Sequence, residues 1–181
     1  MPIIFLRRKL TKLCDCCVYN YHTFVHTIVK MNIEEEIQTK KRLPDYKRAL
    51  INVIYTGNWI TDEMNSVLKP FDISTQQFNV LRILKGREGK TTNLSTIHER
   101  MIAKNSNTTR LVDKLVTKDL VDKRICVTNK RKVEIQITKK GQAFLENVNQ
   151  AVENREKKIT ASLNIESLEQ LSELLTLLRQ E

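Results

Sequence analysis

From residue 44 onward the apolar positions change period twice, and each change marks a different kind of element. After Pro44, residues Tyr46, Ala49, Leu50, Val53, Ile54, Ile60, Met64 and Leu68 recur at steps of three and four, which gathers them on one face of a helix. Proline is tolerated in a first helical turn, and Pro70 ends the run. A second helix is predicted from Thr75 to Lys85, with Ser74 as its cap and Phe78, Leu81, Ile83 and Leu84 on its apolar side. A third, from Leu94 to Ala103, turns Leu94, Ile97, Met101 and Ile102 to a core. A fourth, from Asn107 to Lys118, buries Leu111, Val112, Leu115 and Val116. The period then falls to two. Val133, Ile135 and Ile137 alternate with Lys132, Glu134 and Gln136, the pattern of a strand with one buried face. Its partner is predicted over Asp122 to Val127, with a tip of Thr128, Asn129, Lys130 and Arg131. Thr138 caps a long helix carrying Phe144, Leu145, Val148, Val152 and Ile159. A last helix follows Asn164, with Leu168, Leu171, Leu174, Leu175 and Leu178 on one side.

The predicted fold class is therefore mostly α with a small β-hairpin wing: a winged helix-turn-helix flanked by N- and C-terminal dimerisation helices. Residues 31–73 hold the first of these helices, 74–141 the winged head and 142–181 the C-terminal helices. Residues 1–30 stand apart as an atypical leader outside the core. They mix basic residues, aromatics, Cys14, Cys16 and Cys17 with no sustained period. A signal peptide would put its charge before its apolar stretch, and here Met1 to Leu6 come before Arg7 and Arg8. At Met31 the composition turns to that of a soluble start, so Met31 is expected to be the physiological first residue.

Composition sharpens this picture in one respect. Only four Gly and three Pro in 181 residues agree with a mainly helical chain. No apolar run approaches the roughly 20 residues of a membrane span, so no membrane partner is expected. The formal charge of +10 is unevenly spread: residues 122–140 hold seven Lys and Arg against two acids. Clustered positive charge favours a polyanion over a general role in solubility. The crowded cysteines lack a disulfide-like spacing across the chain, which points to a reducing, cytoplasmic setting.

The charge sits where it matters. The fourth helix opens with Ser106, Asn107, Thr108, Thr109 and Arg110, followed by Lys114 one turn later. Short polar side chains let a helix N-terminus approach a groove closely, and its dipole attracts phosphate. Arg110 is long enough for guanine O6 and N7, and Asn107 has the amide that pairs with an adenine edge. The plainer reading is a solvated helix start whose Ser and Asn only cap. What tips the balance is the cationic hairpin directly behind, with Arg124, Lys130, Arg131 and Lys132 beside Lys123. A helix in the major groove and a charged ribbon along the backbone make one DNA-reading device.

At this point the residues resemble the MarR family of bacterial transcription regulators. The matching motifs are Gln-Gln-Phe-Asn-Val-Leu-Arg-Ile-Leu at 76–84, Leu-Ser-Thr-Ile-His-Glu-Arg-Met at 94–101 and Asn-Thr-Thr-Arg-Leu-Val-Asp-Lys-Leu at 107–115. Leu-Val-Asp-Lys-Arg at 120–124 and Ile-Thr-Lys-Lys-Gly at 137–141 complete the series. With the flanking helices the resemblance covers about 40–181. It implies a homodimer that binds a palindromic operator in double-stranded DNA, acts as a repressor and lets go when a small-molecule effector binds. Two positions depart from the family pattern. Asn129 stands where an Asp usually orients the wing arginine, here Arg131. Asp119 stands where the recognition helix usually exits through Gly.

The remaining candidates follow from exposure and chemistry. Tyr46, Leu50, Val53, Leu168, Leu171, Leu175 and Leu178 would lie bare on one subunit, so they are expected at a dimer interface. Tyr55, Trp59, Phe78 and His98 are the residues to line an effector cleft, although aromatics at helical spacing more often pack in a core. No metal or cofactor is expected. Only four residues separate Cys17 from His22, against roughly a dozen between the Cys and His pairs of a zinc finger. Cys126 on the wing strand reads either as an oxidant-sensing thiol or, as is commoner for such a residue, as one that fills space. No phosphate loop or catalytic triad is visible, so the chain is not read as an enzyme. The rival reading is a non-sequence-specific architectural protein that binds nucleic acid through charge alone.

Overall fold

The computed structural model describes residues 32–125 and 133–180. The leader with Cys14, Cys16, Cys17, His22 and His26, the proposed start at Met31 and the wing tip with Cys126, Asn129, Lys130, Arg131 and Lys132 lie outside the described residues. The chain forms two compact units that part after Ile54.

In the first unit a single turn, α1 (Ile33–Glu36), is capped by Asn32, whose side chain accepts from Glu35 N. Glu34 reaches along the following loop to accept from Leu43 N at 3.3 Å. Helix α2 (Asp45–Leu68) starts just after Pro44 and is 24 residues long. Pro70 falls in a short 3-10 turn, Lys69–Phe71, and Asp72 then takes a left-handed conformation, so the chain leaves the helix where proline denies it a donor.

The second unit is built around α3 (Thr75–Lys85). Ser74 and Gln77 cap its start reciprocally: the serine side chain accepts from Gln77 N while Gln77 Oε1 accepts from Ser74 N at 2.9 Å. Phe78, Val80, Leu81 and Leu84 are buried, and α3 packs on α4 (Leu94–Arg100), α5 (Thr108–Thr117), the sheet and α6 (Lys139–Thr160). Strands β1 (Val121–Ile125) and β2 (Val133–Ile137) pair antiparallel, with Val121 opposite Ile137 and Lys123 opposite Ile135. Thr92 adds a third-strand stub by exchanging both backbone hydrogen bonds with Ile135. The core joins Leu68, Leu81, Ile97, Val112, Leu115, Ile135, Leu145 and Val148, all almost fully enclosed. Truncating one such leucine to alanine costs about 2–5 kcal/mol in comparable cores.

The helix α6 is docked by the absence of a side chain. Its cap Thr138 accepts from Gly141 N and donates to Asp119 O at 2.8 Å. A Cβ on Gly141 would fall 2.1 Å from Leu120 O. Asp119 itself holds φ 58°, the left-handed exit expected of it. Further along, the Arg155 guanidinium grips Glu63 through two nitrogens and ties α6 to α2 within this unit. The last helix, α7 (Ile165–Leu177), is capped by Asn164 and has no buried residue.

One boundary differs from the sequence pattern. The third helix stops at Arg100 rather than Ala103, because Met101 takes an extended conformation that drives its side chain into the core. Ile102, expected inside, is consequently 85% exposed.

Candidate nucleic-acid interface

Helix α5 owes its orientation to a strict division of its residues. Val112 and Leu115 are buried, while Thr109, Arg110, Asp113 and Lys114 are exposed. Its N-cap, Asn107, accepts from Arg110 N through Oδ1 at 3.1 Å, and Ser106 N donates to Ala103 O in the turn from α4. These bonds present the first turn of α5 to an open cleft of about 490 Å³, lined by Ser106, Asn107, Arg110 and Lys114. Among the described residues the Arg110 side chain has neither an ion pair nor a hydrogen-bond partner, so its donors are free for an external acceptor.

Thr108 is the correction within this set. It is 7% exposed, and its hydroxyl lies 3.1 Å from Nδ1 of His98 on α4. As the first residue of α5 it turns inward and joins the two helices, so it does not belong with the groove-facing residues. The amide of Asn107 is also partly committed, since its oxygen serves the cap. That leaves its Nδ2 as a donor, but not the outward-facing pair of groups that an adenine edge requires.

Several cations around the helix are likewise engaged. Lys118 at its C-cap donates to the main-chain oxygen and to Oδ2 of Asp72, the latter at 2.6 Å. That hydrogen bond, with the charges of Lys118 and Lys114, holds the Asp72 carboxyl below the usual carboxylate range. Lys123 shares the core-side face of the hairpin with Ile135 and bonds Asp113 Oδ1 at 2.6 Å, linking wing base to α5. Arg124 projects from the opposite face, paired with Asp122 at 2.6 Å and largely exposed. Lys130, Arg131 and Lys132 remain outside the described residues.

Sequence reasoning missed part of the cleft. Gln76 on α3, Ala103 and Asn105 in the turn, and Leu111 on α5 also line it. Leu111, expected in the core, is half-buried against it and also edges the cleft, while nothing in linear order places Gln76 beside Arg110.

A capped three-helix array with an antiparallel hairpin behind its exposed helix is a winged helix-turn-helix. The MarR family model matches residues 73–133, a third of the chain, covering α3 to the start of β2. The chain carries a MarR-family domain. No curated protein sequence matches the chain, but solved structures share the fold over a longer stretch. A mutant MarR from E. coli complexed with operator DNA is 25% identical with a TM-score of 0.65, covering 77% of this chain and 100% of its own. The organohalide-sensing transcriptional regulator RdhR-CbdbA1625, bound to 2,4-dichlorophenol, is 22% identical with a TM-score of 0.69, covering 76% and 80%. A putative MarR-like transcription regulator from Bacillus cereus is 21% identical with a TM-score of 0.66, covering 73% and 94%.

Around the MarR domain the apolar candidates are mostly bare. Tyr46, Leu50 and Val53 are exposed on α2, and Leu171 and Leu178 are exposed at the C-terminal end, with Leu168 and Leu175 half-buried. The four aromatic and histidine candidates for an effector site do not converge. Phe78 lines a cleft of about 170 Å³ with Met64, Arg82, Val152 and Glu156, while Tyr55, Trp59 and His98 do not line it. His98 is held at Thr108 instead. Among the described residues no helix is long and apolar enough to cross a membrane.

Proposed function

We propose that this protein is a transcriptional regulator that reads a palindromic operator as a homodimer and represses from it, acting in the cytoplasm. The observation that carries the reading is the cleft at the start of α5, where Arg110 and Lys114 stand exposed and the Arg110 donors are uncommitted. A guanidinium with two free donors matches guanine O6 and N7, and Lys114 one turn along suits a phosphate. The similarity to a MarR solved on operator DNA supports the same assignment. Two copies joined through their bare apolar helices would place two α5 helices in successive major grooves, roughly 34 Å apart.

The effector would enter the cleft beside Phe78. Its floor is apolar, and the Arg82 guanidinium sits 5.8 Å from the Phe78 ring, a pairing suited to a small aromatic molecule with an electron-rich substituent. The phenol bound to RdhR-CbdbA1625 supports that class of ligand.

Selection of binding sites from random duplexes at moderate salt tests the reading. Recovery of inverted half-sites is expected. Recovery of unenriched sequence would replace it with the architectural alternative, in which charge alone binds DNA. Affinity should fall by about 10³-fold or more between 50 and 200 mM salt if six or more phosphates are neutralised.

A further inference from the structure

Two neighbouring glutamines open α3, and the structure uses them in opposite ways. Gln77 is buried, with its oxygen bonded to Ser74 N as half of the capping box. Gln76 lines the reading cleft with Arg110, and among the described residues its carboxamide has no hydrogen-bond partner. It sits on a helix outside the helix-turn-helix proper, fixed by the cap of its own neighbour, so its position needs no help from its side chain. The amide first suspected of reading a base, Asn107, has its oxygen turned to Arg110 N.

We infer that Gln76 is a specificity-determining residue that reads an A·T pair next to the base pair contacted by Arg110. A free carboxamide offers one acceptor and two donors from one planar group, which matches adenine N6 and N7. The same base pair presents the thymine methyl in the major groove, and the cleft supplies Ala103 and Leu111 as apolar surface to meet it. Arg110 and Gln76 together then give each half-site a G·C pair and an A·T pair within the reach of one cleft. The inference rests on the operator-reading function proposed above and adds a residue to it.

The test uses the full chain and the duplex recovered by site selection, with each base pair of the half-site replaced in turn. Gln76→Ala should weaken the selected site by roughly 5- to 150-fold, the range of one bidentate base contact. It should also erase preference at a single A·T pair per half-site and leave binding to scrambled duplex unchanged. Gln76→Glu should move the preference at that pair toward C·G, because a carboxylate accepts from cytosine N4. An unaltered melting temperature for both variants would show that the cap of α3 survives. Equal weakening on scrambled duplex would mean a backbone contact, and retained preference at every pair would mean no contact; either overturns the inference. Failure of the underlying function looks different: wild-type protein would select no sequence, and Arg110→Ala would change nothing.

Discussion

Helices α5 and α7 are similar in length and are both capped by asparagine, yet they spend their side chains in opposite ways. In α5 the apolar residues Val112 and Leu115 are enclosed by the same chain, and the polar side is left open to the cleft. In α7 nothing is buried, and Leu174 is 65% exposed together with Ile165, Leu171, Leu177 and Leu178. A helix whose apolar side is satisfied advertises its polar groups. One whose apolar side is bare lacks a covering surface. The winged head therefore covers its own apolar residues within this chain, while the end helix leaves its own uncovered. Exposed apolar area of this kind is removed from water at roughly 25 cal/mol per Å² when a partner covers it.

The largest expected effect separates the two regions by stability. Leu81→Ala, in the fully enclosed centre of α3, should cost about 2–5 kcal/mol in urea denaturation, with the same loss at every protein concentration. Leu174→Ala should instead show its loss in how the midpoint depends on concentration, because it would remove contact between copies. Identical behaviour of the two variants would break the comparison. A second strong effect lies at the junction of α5, the hairpin and α6. Gly141→Ala places a methyl against Leu120 O, so the start of α6 must shift, at a cost of about 1–3 kcal/mol by the same measurement. No change there would mean that α6 docks more loosely than the Thr138 bonds suggest.

On DNA the comparison sharpens within α5 itself. Arg110→Ala should cost about 1–3 kcal/mol on the selected operator and much less on scrambled duplex. Lys114→Ala should weaken both about equally and flatten the salt slope, as expected of a phosphate contact. Gel-shift titration at two salt concentrations distinguishes the pair, and the reverse pattern would exchange their roles.

The line between what could be read in the sequence and what could not follows the same physics. Period and capping are local, so α2, α3, α5, the hairpin and the exit at Asp119 were all legible. The early end of α4 was not, since it depends on Met101 finding the core in an extended conformation. Thr108 carries the polarity of a surface residue, and only the approach of His98 explains its burial. Lys123 reads as one more wing cation until the register puts it on the core side, opposite Ile135 and within reach of Asp113. Gln77 stands three residues after Ser74, the local spacing of a capping box, whereas only the packing of α3 against α5 puts its neighbour Gln76 in the cleft. Residues that act through their own helix are visible in order along the chain; residues that act across helices are not.

The smallest effect concerns a tie at the far end of α5. The Lys118 ammonium hydrogen-bonds Asp72, and this bond, then the charges of Lys118 and Lys114, lower the Asp72 pKa from its ordinary 3.8. A carboxylate lowered in the folded state contributes stability above its unfolded pKa and loses it as pH falls through the folded value. The contribution is therefore complete at neutral pH and disappears only in acid below about 3.8. Glu153 on α6 is lowered in the same direction by a hydrogen bond from Lys157, one turn along the same helix. The two carboxylates differ in what they join: one ties α5 to the turn before α3, and the other stays within α6. In an NMR titration of the side-chain carboxyl carbons, Lys118→Met should raise the Asp72 midpoint and leave that of Glu153 in place. If Asp72 does not move, the tie is not formed in solution, and the end of α5 is held by its buried residues and by the bonds around Asp119 instead.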